Sequence, residues 1–263
     1  MRPSGRTTSR GLGLVALAIA CAAGCARSDP ARPAAPAGVP GAAPAVIDLQ
    51  PREGPATTLV VALHGLGDRA AGFEPIAQEL AGALPRAEIV VPDGFHPFEG
   101  GGSGRQWFSF RGLSDANRAE RVREAGQEVS RWIDAQLAAR KLEPSRLAVV
   151  GFSQGAMLGA WLAIHGTPRP AAVVMFSGRA SEEGPPPAGA ATQVLVAHGD
   201  QDRVIPVANV DPTVRVLEAA GDRVTKRVYP GLGHRIDARE LRDAAEFLQG
   251  ILGSGQPSTG TRR

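Results

Sequence analysis

Cysteine is nearly absent from this 263-residue chain, and its absence excludes several kinds of structure and chemistry. The 2 cysteines are Cys21 and Cys25, and none follows them. The rest of the chain therefore has no disulfide framework, no cysteine-ligated zinc site and no cysteine nucleophile. It also has no H-E-x-x-H motif and no Cys/His cluster. The sequence accordingly predicts neither a metal site nor a cofactor.

An excess of positive charge is also missing from most of the chain. The formal net charge is +3, and Arg2, Arg6 and Arg10 lie in the first 25 residues, which carry no acid. These three arginines account for the whole excess, so the remainder is formally neutral. Because a nucleic-acid-binding domain needs a basic patch, we expect no nucleic-acid partner.

The apolar stretch near the N-terminus, residues 11–24, is too short to span a bilayer. Behind three arginines it is typical of the central region of a signal peptide. It ends in Ala22-Ala23-Gly24-Cys25, which resembles a bacterial lipoprotein processing site. We therefore expect residues 1–25 to be a lipoprotein-type signal peptide, with Cys25 as the lipidated mature N-terminus. The alternative is an ordinary secretory signal, and either way we expect an exported protein. The lipoprotein would lie at the periplasmic or outer-membrane face, attached to the membrane only through its N-terminal lipid, whereas an ordinary signal would give a secreted or periplasmic protein.

Composition divides the rest of the chain into a linker, a domain and a tail. Residues 26–45 are rich in Ala and Pro, with Val39 as the only large apolar residue, so they predict a semi-extended linker. Residues 253–263 are polar and rich in Gly, Ser and Thr, which predicts a flexible tail. One domain over 46–252 remains, and we expect it to be a monomer or a homodimer.

Within this domain, short apolar runs alternate with helical patterns. This alternation predicts an α/β fold, with a mostly parallel central sheet and helices on both faces. In such sheets the reactive groups lie at the carboxyl ends of the strands. The predicted strands are 58–63, 88–92, 147–150, 172–176, 194–197 and 224–229, and the predicted helices are 73–84, 115–141, 155–165, 212–220 and 237–252.

The sequence Gly151-Phe152-Ser153-Gln154-Gly155 matches G-x-S-x-G and lies between a predicted strand and a predicted helix. This is the setting of a nucleophile elbow, in which the serine occupies a strained turn with its hydroxyl above the sheet. Side chains at positions 151 and 155 would clash with neighbouring backbone there. Ser153 is therefore the candidate nucleophile.

A serine nucleophile needs a base, and the base needs a carboxylate to orient it. In this arrangement the chain order is Ser, acid, His, and of the five histidines only His234 follows every plausible acid. Asp200 and Asp202 both follow the strand 194–197, so spacing leaves both as candidate acids, with a modest preference for Asp202. His64 and His198 each lie between a strand and a glycine, where loop-bracing hydrogen bonds are the expected role.

The oxyanion of an acyl-transfer intermediate needs two N–H donors. One is predicted to be the amide of Gln154, which follows the nucleophile. The other is predicted to be the amide of Leu66, because the loop His64-Gly-Leu-Gly-Asp68 follows the first predicted strand and its glycines let the backbone turn inward.

Five segments of the chain resemble the phospholipase/carboxylesterase family of α/β-hydrolases, which includes acyl-protein thioesterases. The segments are LHGLGD at 63–68, GRQWFSF at 104–110, GFSQG at 151–155, HGDQDRVIP at 198–206 and YPGLGH at 229–234. GRQWFS followed by Asn117-Arg118 is similar to the bacterial serine esterases of this family. The resemblance implies an α/β-hydrolase fold, a catalytic set of Ser153, Asp202 and His234, oxyanion donors at Leu66 and Gln154, and Trp107 beside the substrate cleft.

Together these observations predict a serine hydrolase that cleaves esters or thioesters through an acyl-enzyme intermediate. The two possible lid segments, 95–106 and 178–190, are rich in Gly and Pro rather than apolar, which favours small to medium acyl substrates. Two alternatives are a lysophospholipase and a non-catalytic binding lipoprotein built on a hydrolase scaffold. Family members are often cytosolic, and the predicted export signal departs from that pattern.

Overall fold

The structure is a computed structural model, and it describes residues 44–181 and 191–253. Cys25, the predicted signal peptide, most of the predicted linker and nearly all of the predicted tail lie outside the described residues. So does most of the possible lid segment 178–190. The predictions made for these regions therefore stay predictions.

A seven-stranded sheet forms the centre of the described region, and six of its strands are parallel. The strand order is β1-β3-β2-β6-β7-β8-β9, and only β1 runs antiparallel to its neighbour. This confirms the prediction of a mostly parallel sheet. Its strands are β1 Val46–Leu49, β2 Thr58–Leu63, β3 Ala87–Pro92, β6 Leu147–Phe152, β7 Ala172–Phe176, β8 Gln193–Gly199 and β9 Arg223–Tyr229. A separate hairpin pairs β4 His96–Pro97 with β5 Arg105–Gln106.

Five α-helices cover the two faces of the sheet, as the alternating pattern predicts. Apolar side chains of α2, α3 and α4 pack on the face that carries Leu59, Val61 and Leu63. Those of α1 and α5 pack on the opposite face, with Val60 and Ala62. The helices are α1 Ala70–Ala83, α2 Asp115–Arg140, α3 Gln154–His165, α4 Val210–Ala219 and α5 Ala238–Leu252.

Two features differ from the sequence prediction, and both depend on contacts that are remote in the chain. Strand β1 and the β4–β5 hairpin were not predicted, because they are too short to show a periodic pattern of apolar residues. Strand β1 is recognisable only by its pairing with β3. Helix α1 begins at Ala70 rather than at 73, because the Ala70 amide donates a hydrogen bond to Asp93 Oδ1 at 2.7 Å. A helix begins earlier where an acceptor satisfies its first amides.

Within the two described ranges, none of the helices combines the length and the apolar character that crossing a membrane requires.

Candidate active site

Ser153 lies in the turn between β6 and α3, and its backbone is strained. Its φ of 52° and ψ of −110° fall outside the regions that non-glycine residues ordinarily occupy. Such a conformation costs on the order of 1–3 kcal/mol and persists only where its surroundings hold it. Here the Ser153 amide donates a hydrogen bond to the Phe176 carbonyl at 2.9 Å. The strand–turn–helix setting predicted for this serine is therefore present.

The glycines on either side of Ser153 are required by close approach of the backbone. A Cβ atom at position 151 would overlap the carbonyl of Gly155, and one at position 155 would overlap the carbonyl of Leu63. In both cases the obstacle is backbone, which cannot move aside as a flexible side chain can. The crowding inferred from the G-x-S-x-G pattern is thus found on both sides of the serine.

His234 lies within hydrogen-bond distance of both Ser153 and Asp202. Its Nε2 atom is 3.0 Å from Ser153 Oγ, and its Nδ1 atom is 2.7 Å from Asp202 Oδ2. A carboxylate can only accept hydrogen bonds, so the imidazole proton lies on Nδ1 and the Nε2 lone pair faces the serine hydroxyl. Phe152 packs against the imidazole with its ring centroid 4.8 Å away. This arrangement can remove a proton from the hydroxyl.

The loops after β8 and β9 carry the acid and the histidine, and backbone hydrogen bonds join them. The Asp200 amide donates to the Tyr229 carbonyl at 3.2 Å, and the Gln201 amide donates to the Leu232 carbonyl at 2.9 Å. Leu232 is completely buried, which anchors the second loop to the core. These hydrogen bonds join the two loops, so the distance between Asp202 and His234 is set by the fold.

Asp202 is 5% exposed, and four polar groups surround its carboxylate. Oδ1 accepts hydrogen bonds from the amides of Val204 and Ile205 at 2.8 and 2.9 Å. Oδ2 faces His234, and His198 Nε2 lies 3.4 Å away. Burial alone would raise the pKa of Asp202, but the hydrogen bonds from His234 and the Ile205 amide hold it below its ordinary value. The carboxylate is therefore ionised at neutral pH.

Asp200, the other candidate acid, has a different partner. Its Oδ1 accepts a hydrogen bond from the Gly231 amide at 2.8 Å. Among the described contacts of His234, the carboxylate partner is Asp202 and not Asp200. The tertiary structure thus separates two aspartates that spacing alone left open.

A cavity of about 220 Å³ opens beside Ser153. This volume lies below the roughly 300–1,000 Å³ of pockets that enclose drug-sized ligands. Leu66 and Gln154, the predicted oxyanion donors, both line it. The amide of Gln154 is in the first turn of α3, where amides have no carbonyl partner within the helix. Most of the remaining lining is apolar and includes Phe108, Phe110, Leu113, Met157, Ile205 and Pro206.

The resemblance implies that Trp107 lies beside the substrate cleft, and in the structure Trp107 is the chain neighbour of Phe108, which lines the Ser153 cavity. Its side chain is 1% exposed and belongs to the core, and Nε1 donates to the His64 carbonyl at 2.9 Å. Trp107 is not among the described residues that line the Ser153 cavity, whereas its neighbour Phe108 is. The Gln154 side chain links both residues to the elbow, because its Oε1 accepts from the Trp107 amide and its Nε2 donates to the Phe108 carbonyl. Trp107 thus supports the cavity wall from behind.

His64 and His198 brace loops, as expected. The Nδ1 atom of His64 is 2.7 Å from the Gly65 carbonyl, and its Nε2 atom accepts from the Gly94 amide at 2.8 Å. Burial lowers the pKa of His64, so the ring is neutral at pH 7. The Nε2 atom of His198 is 2.8 Å from the Ile205 carbonyl, which holds the loop that carries Asp202.

The residues that sequence reasoning missed are mostly those that shape the cavity. Phe108 and Phe110 belong to the segment GRQWFSF, so an aromatic cluster was visible there, but only Trp107 of that segment was singled out. Arg118 and Arg179 also line the cavity. Arg118 was noted only as part of the family resemblance, without a role, and no local pattern marked Arg179. In the described part of the chain, no group of three or more His, Cys, Asp or Glu residues could hold a metal ion.

The parallel sheet, the helices on both faces and the strained serine after β6 define the class of protein, an α/β-hydrolase-fold enzyme of the carboxylesterase/thioesterase type. A family model described as Phospholipase/Carboxylesterase matches residues 45–252. The chain belongs to this phospholipase/carboxylesterase family.

Individual relatives agree with this assignment. The chain is 32% identical to esterase YpfH of Escherichia coli (strain K12) over 202 residues, which are 76% of this chain and 86% of that protein. It is 29% identical to acyl-protein thioesterase 1 of Eremothecium gossypii over 233 residues, which cover 82% of this chain and 97% of that protein. Among solved structures, esterase PE8 matches with a TM-score of 0.72 at 26% identity, over 80% of this chain and 100% of that one.

Proposed function

We propose that the chain is a serine hydrolase that cleaves carboxylic esters or thioesters through Ser153, His234 and Asp202. The observation that carries this proposal is the position of His234, whose two ring nitrogens lie 3.0 Å from the Ser153 hydroxyl and 2.7 Å from the Asp202 carboxylate. A base that contacts both a nucleophile and an orienting carboxylate is the geometry that activates a serine.

In the proposed reaction, His234 Nε2 takes the proton as Ser153 Oγ attacks the carbonyl carbon of the substrate. The amides of Leu66 and Gln154 donate to the oxyanion of the tetrahedral intermediate. As this intermediate collapses, the alcohol or thiol leaves with the proton from His234, and an acyl-serine ester remains. Water, deprotonated by the same nitrogen, then hydrolyses this ester and restores the serine.

The cavity supports small to medium acyl groups as substrates. Its volume of about 220 Å³ and its apolar wall fit a short acyl chain better than a bulky one. A series of p-nitrophenyl esters of increasing chain length, together with one thioester, tests this part of the proposal. We expect kcat/KM to fall once the acyl chain outgrows the cavity.

Covalent labelling with a fluorophosphonate tests the nucleophile directly. We expect one adduct per chain at Ser153 and none in the Ser153→Ala variant. A folded wild-type protein that forms no adduct and hydrolyses no ester would instead support a binding protein built on a hydrolase scaffold.

We also propose that the enzyme is exported and anchored by a lipid on Cys25. This proposal rests on the sequence pattern of residues 11–25 alone. The linker would let the domain reach roughly 25 Å from the membrane as a flexible chain, or about 60 Å as an extended polyproline-like one. We expect Cys25→Ser to abolish membrane fractionation without changing specific activity. Normal membrane fractionation of a variant that also lacks Cys21 would contradict the lipid anchor.

A further inference from the structure

Two arginines line the wall of the Ser153 cavity, and the reaction proposed above does not use them. Arg118 belongs to the first turns of α2, and Arg179 lies in the segment that follows β7. Elements far apart in the chain thus bring two positive charges to one cavity. None of the described residues lining this cavity is an aspartate or a glutamate.

The two guanidinium groups share one carboxylate, which leaves most of their charge uncompensated. Asp115 Oδ1 lies 3.4 Å from an amino nitrogen of Arg118 and 3.2 Å from one of Arg179. The Asp115 side chain is 81% exposed and is not among the described lining residues. An exposed carboxylate interacts weakly because water screens it. Two positive charges and one screened negative charge leave a net positive cavity wall.

Arg118 is the less exposed of the pair, and part of its hydrogen-bonding capacity is unused. Its side chain is 15% exposed, and its Nε atom is buried with no hydrogen-bond partner among the described residues. Burial lowers the pKa of Arg118, and the nearby charge of Arg179 lowers it further. An anion placed between two such guanidinium groups stabilises them, because its negative charge offsets their repulsion and its oxygens accept their hydrogen bonds.

We propose that Arg118 and Arg179 form an anion-binding subsite in the substrate cavity, so that the preferred substrates are esters carrying a carboxylate or phosphate group. This inference rests on the proposed function and adds to that function a preference for negatively charged substrates. The apolar wall binds the carbon chain of such an ester, and the two arginines bind its anionic end. Arginine suits this role because its planar fork matches the oxygens of carboxylate and phosphate.

Matched ester pairs that differ by one negative charge test the subsite. Monomethyl adipate against dimethyl adipate places a carboxylate on the acyl part. Butanoylglycerol 3-phosphate against butanoylglycerol places a phosphate on the alcohol part. In the wild-type enzyme we expect kcat/KM of the charged ester to exceed that of its neutral partner by about tenfold in at least one pair. The pair that shows the preference identifies which part of the substrate reaches the arginines.

Four variants distinguish binding at these two arginines from an effect of the overall charge of the protein. Arg118→Gln and Arg179→Gln should each lower the charged-to-neutral ratio, and Asp115→Asn should raise it. Arg123→Gln is the matched control, because Arg123 is on the same helix and is not among the described residues lining this cavity. We expect that control to keep the wild-type ratio. A wild-type ratio of one or less in both pairs, or an equal fall in the control, would overturn the proposal.

A binding measurement keeps the test independent of turnover. Calorimetric titration of the Ser153→Ala variant with the same two ester pairs should show the charged member binding about tenfold more tightly than the neutral member in at least one pair. This preference should disappear when Arg179→Gln is added. Equal binding of the charged and neutral members in both pairs would refute the subsite, whether or not the enzyme hydrolyses esters. A protein that hydrolyses neutral esters without charge preference would keep the proposed function and lose only this inference.

Discussion

Replacing Asp202 by asparagine tests the catalytic proposal most sharply, because the structure dictates how the new side chain must sit. The amides of Val204 and Ile205 both donate to Oδ1, so the asparagine oxygen takes that position. Its NH₂ group then faces His234 Nδ1, where the carboxylate oxygen lies 2.7 Å away in the wild type. The substitution therefore replaces an acceptor by a donor at one atom, with almost no change in volume.

The consequence for catalysis depends on which of the two imidazole nitrogens carries the proton. A donor facing Nδ1 forces that nitrogen to accept, so the ring proton moves to Nε2, which is 3.0 Å from Ser153 Oγ. Such a ring cannot take the hydroxyl proton. We expect kcat to fall about 10⁴-fold, by analogy with serine-protease triads. This loss corresponds to about 5 kcal/mol of transition-state stabilisation.

Asp200→Asn is the matched control in the same loop. Asp200 accepts from the Gly231 amide, and asparagine retains an oxygen for that bond. We expect kcat to stay within roughly threefold of the wild type, because only one hydrogen bond to a charged acceptor is weakened. The assay is kcat on a short p-nitrophenyl ester, with far-UV circular dichroism to verify folding. A folded Asp202→Asn variant that kept a tenth of the activity, or a more damaging Asp200→Asn, would refute this assignment of the acid.

Three further predictions concern the base, a buried acid and the core tryptophan. His234→Ala should lower kcat about 10⁶-fold, as for serine-protease triads, and rapid labelling of Ser153 should be lost; labelling at the wild-type rate would contradict its role as base. Burial raises the pKa of Glu240, which is 0% exposed, to about 8 from an ordinary 4.5. The folded state therefore holds more protons than the unfolded state, and the free energy of unfolding falls as pH rises from about 4.5 to 8. In urea titrations at pH 5, 7 and 8.5, Glu240→Gln should reduce this fall in the free energy of unfolding by up to a few kcal/mol. Trp107→Phe should lower the free energy of unfolding by about 1–3 kcal/mol, because the buried His64 carbonyl loses its donor. A large rise in KM with unchanged stability would instead make Trp107 a substrate contact.

The sequence alone determined the elements whose signal is local. Thr58–Leu63 is apolar after its first residue and Ala172–Phe176 is apolar throughout, and the predicted bounds of these strands match the observed ones. Helix α2 is long and has a regular apolar face, so its start at Asp115 and its end within one residue of Arg140 were predictable. The order of the strands and helices was sufficient to predict a parallel sheet, since parallel strands need crossover helices.

The sequence also determined which residues could form the site, because each candidate lies in the turn or loop that follows a strand. Ser153 follows β6, Asp202 follows β8 and His234 follows β9, and the carboxyl ends of parallel strands lie at one edge of the sheet. Chain order was then enough to bring a serine, an acid and a histidine to the same edge. Chain order and spacing gave only a modest preference for Asp202 over Asp200, because they do not show which of the two side chains faces the histidine.

What only the tertiary structure decided depends on contacts between residues distant in the chain. The start of α1 depends on Asp93, and the position of Trp107 depends on the side chain of Gln154 and the carbonyl of His64. The convergence of Arg118 and Arg179 on one cavity joins two elements with no common sequence signal. Periodicity and spacing report on neighbours along a helix or a strand. Cavity walls and buried charges instead arise where separate elements pack together, and for that reason they became visible only in the folded chain.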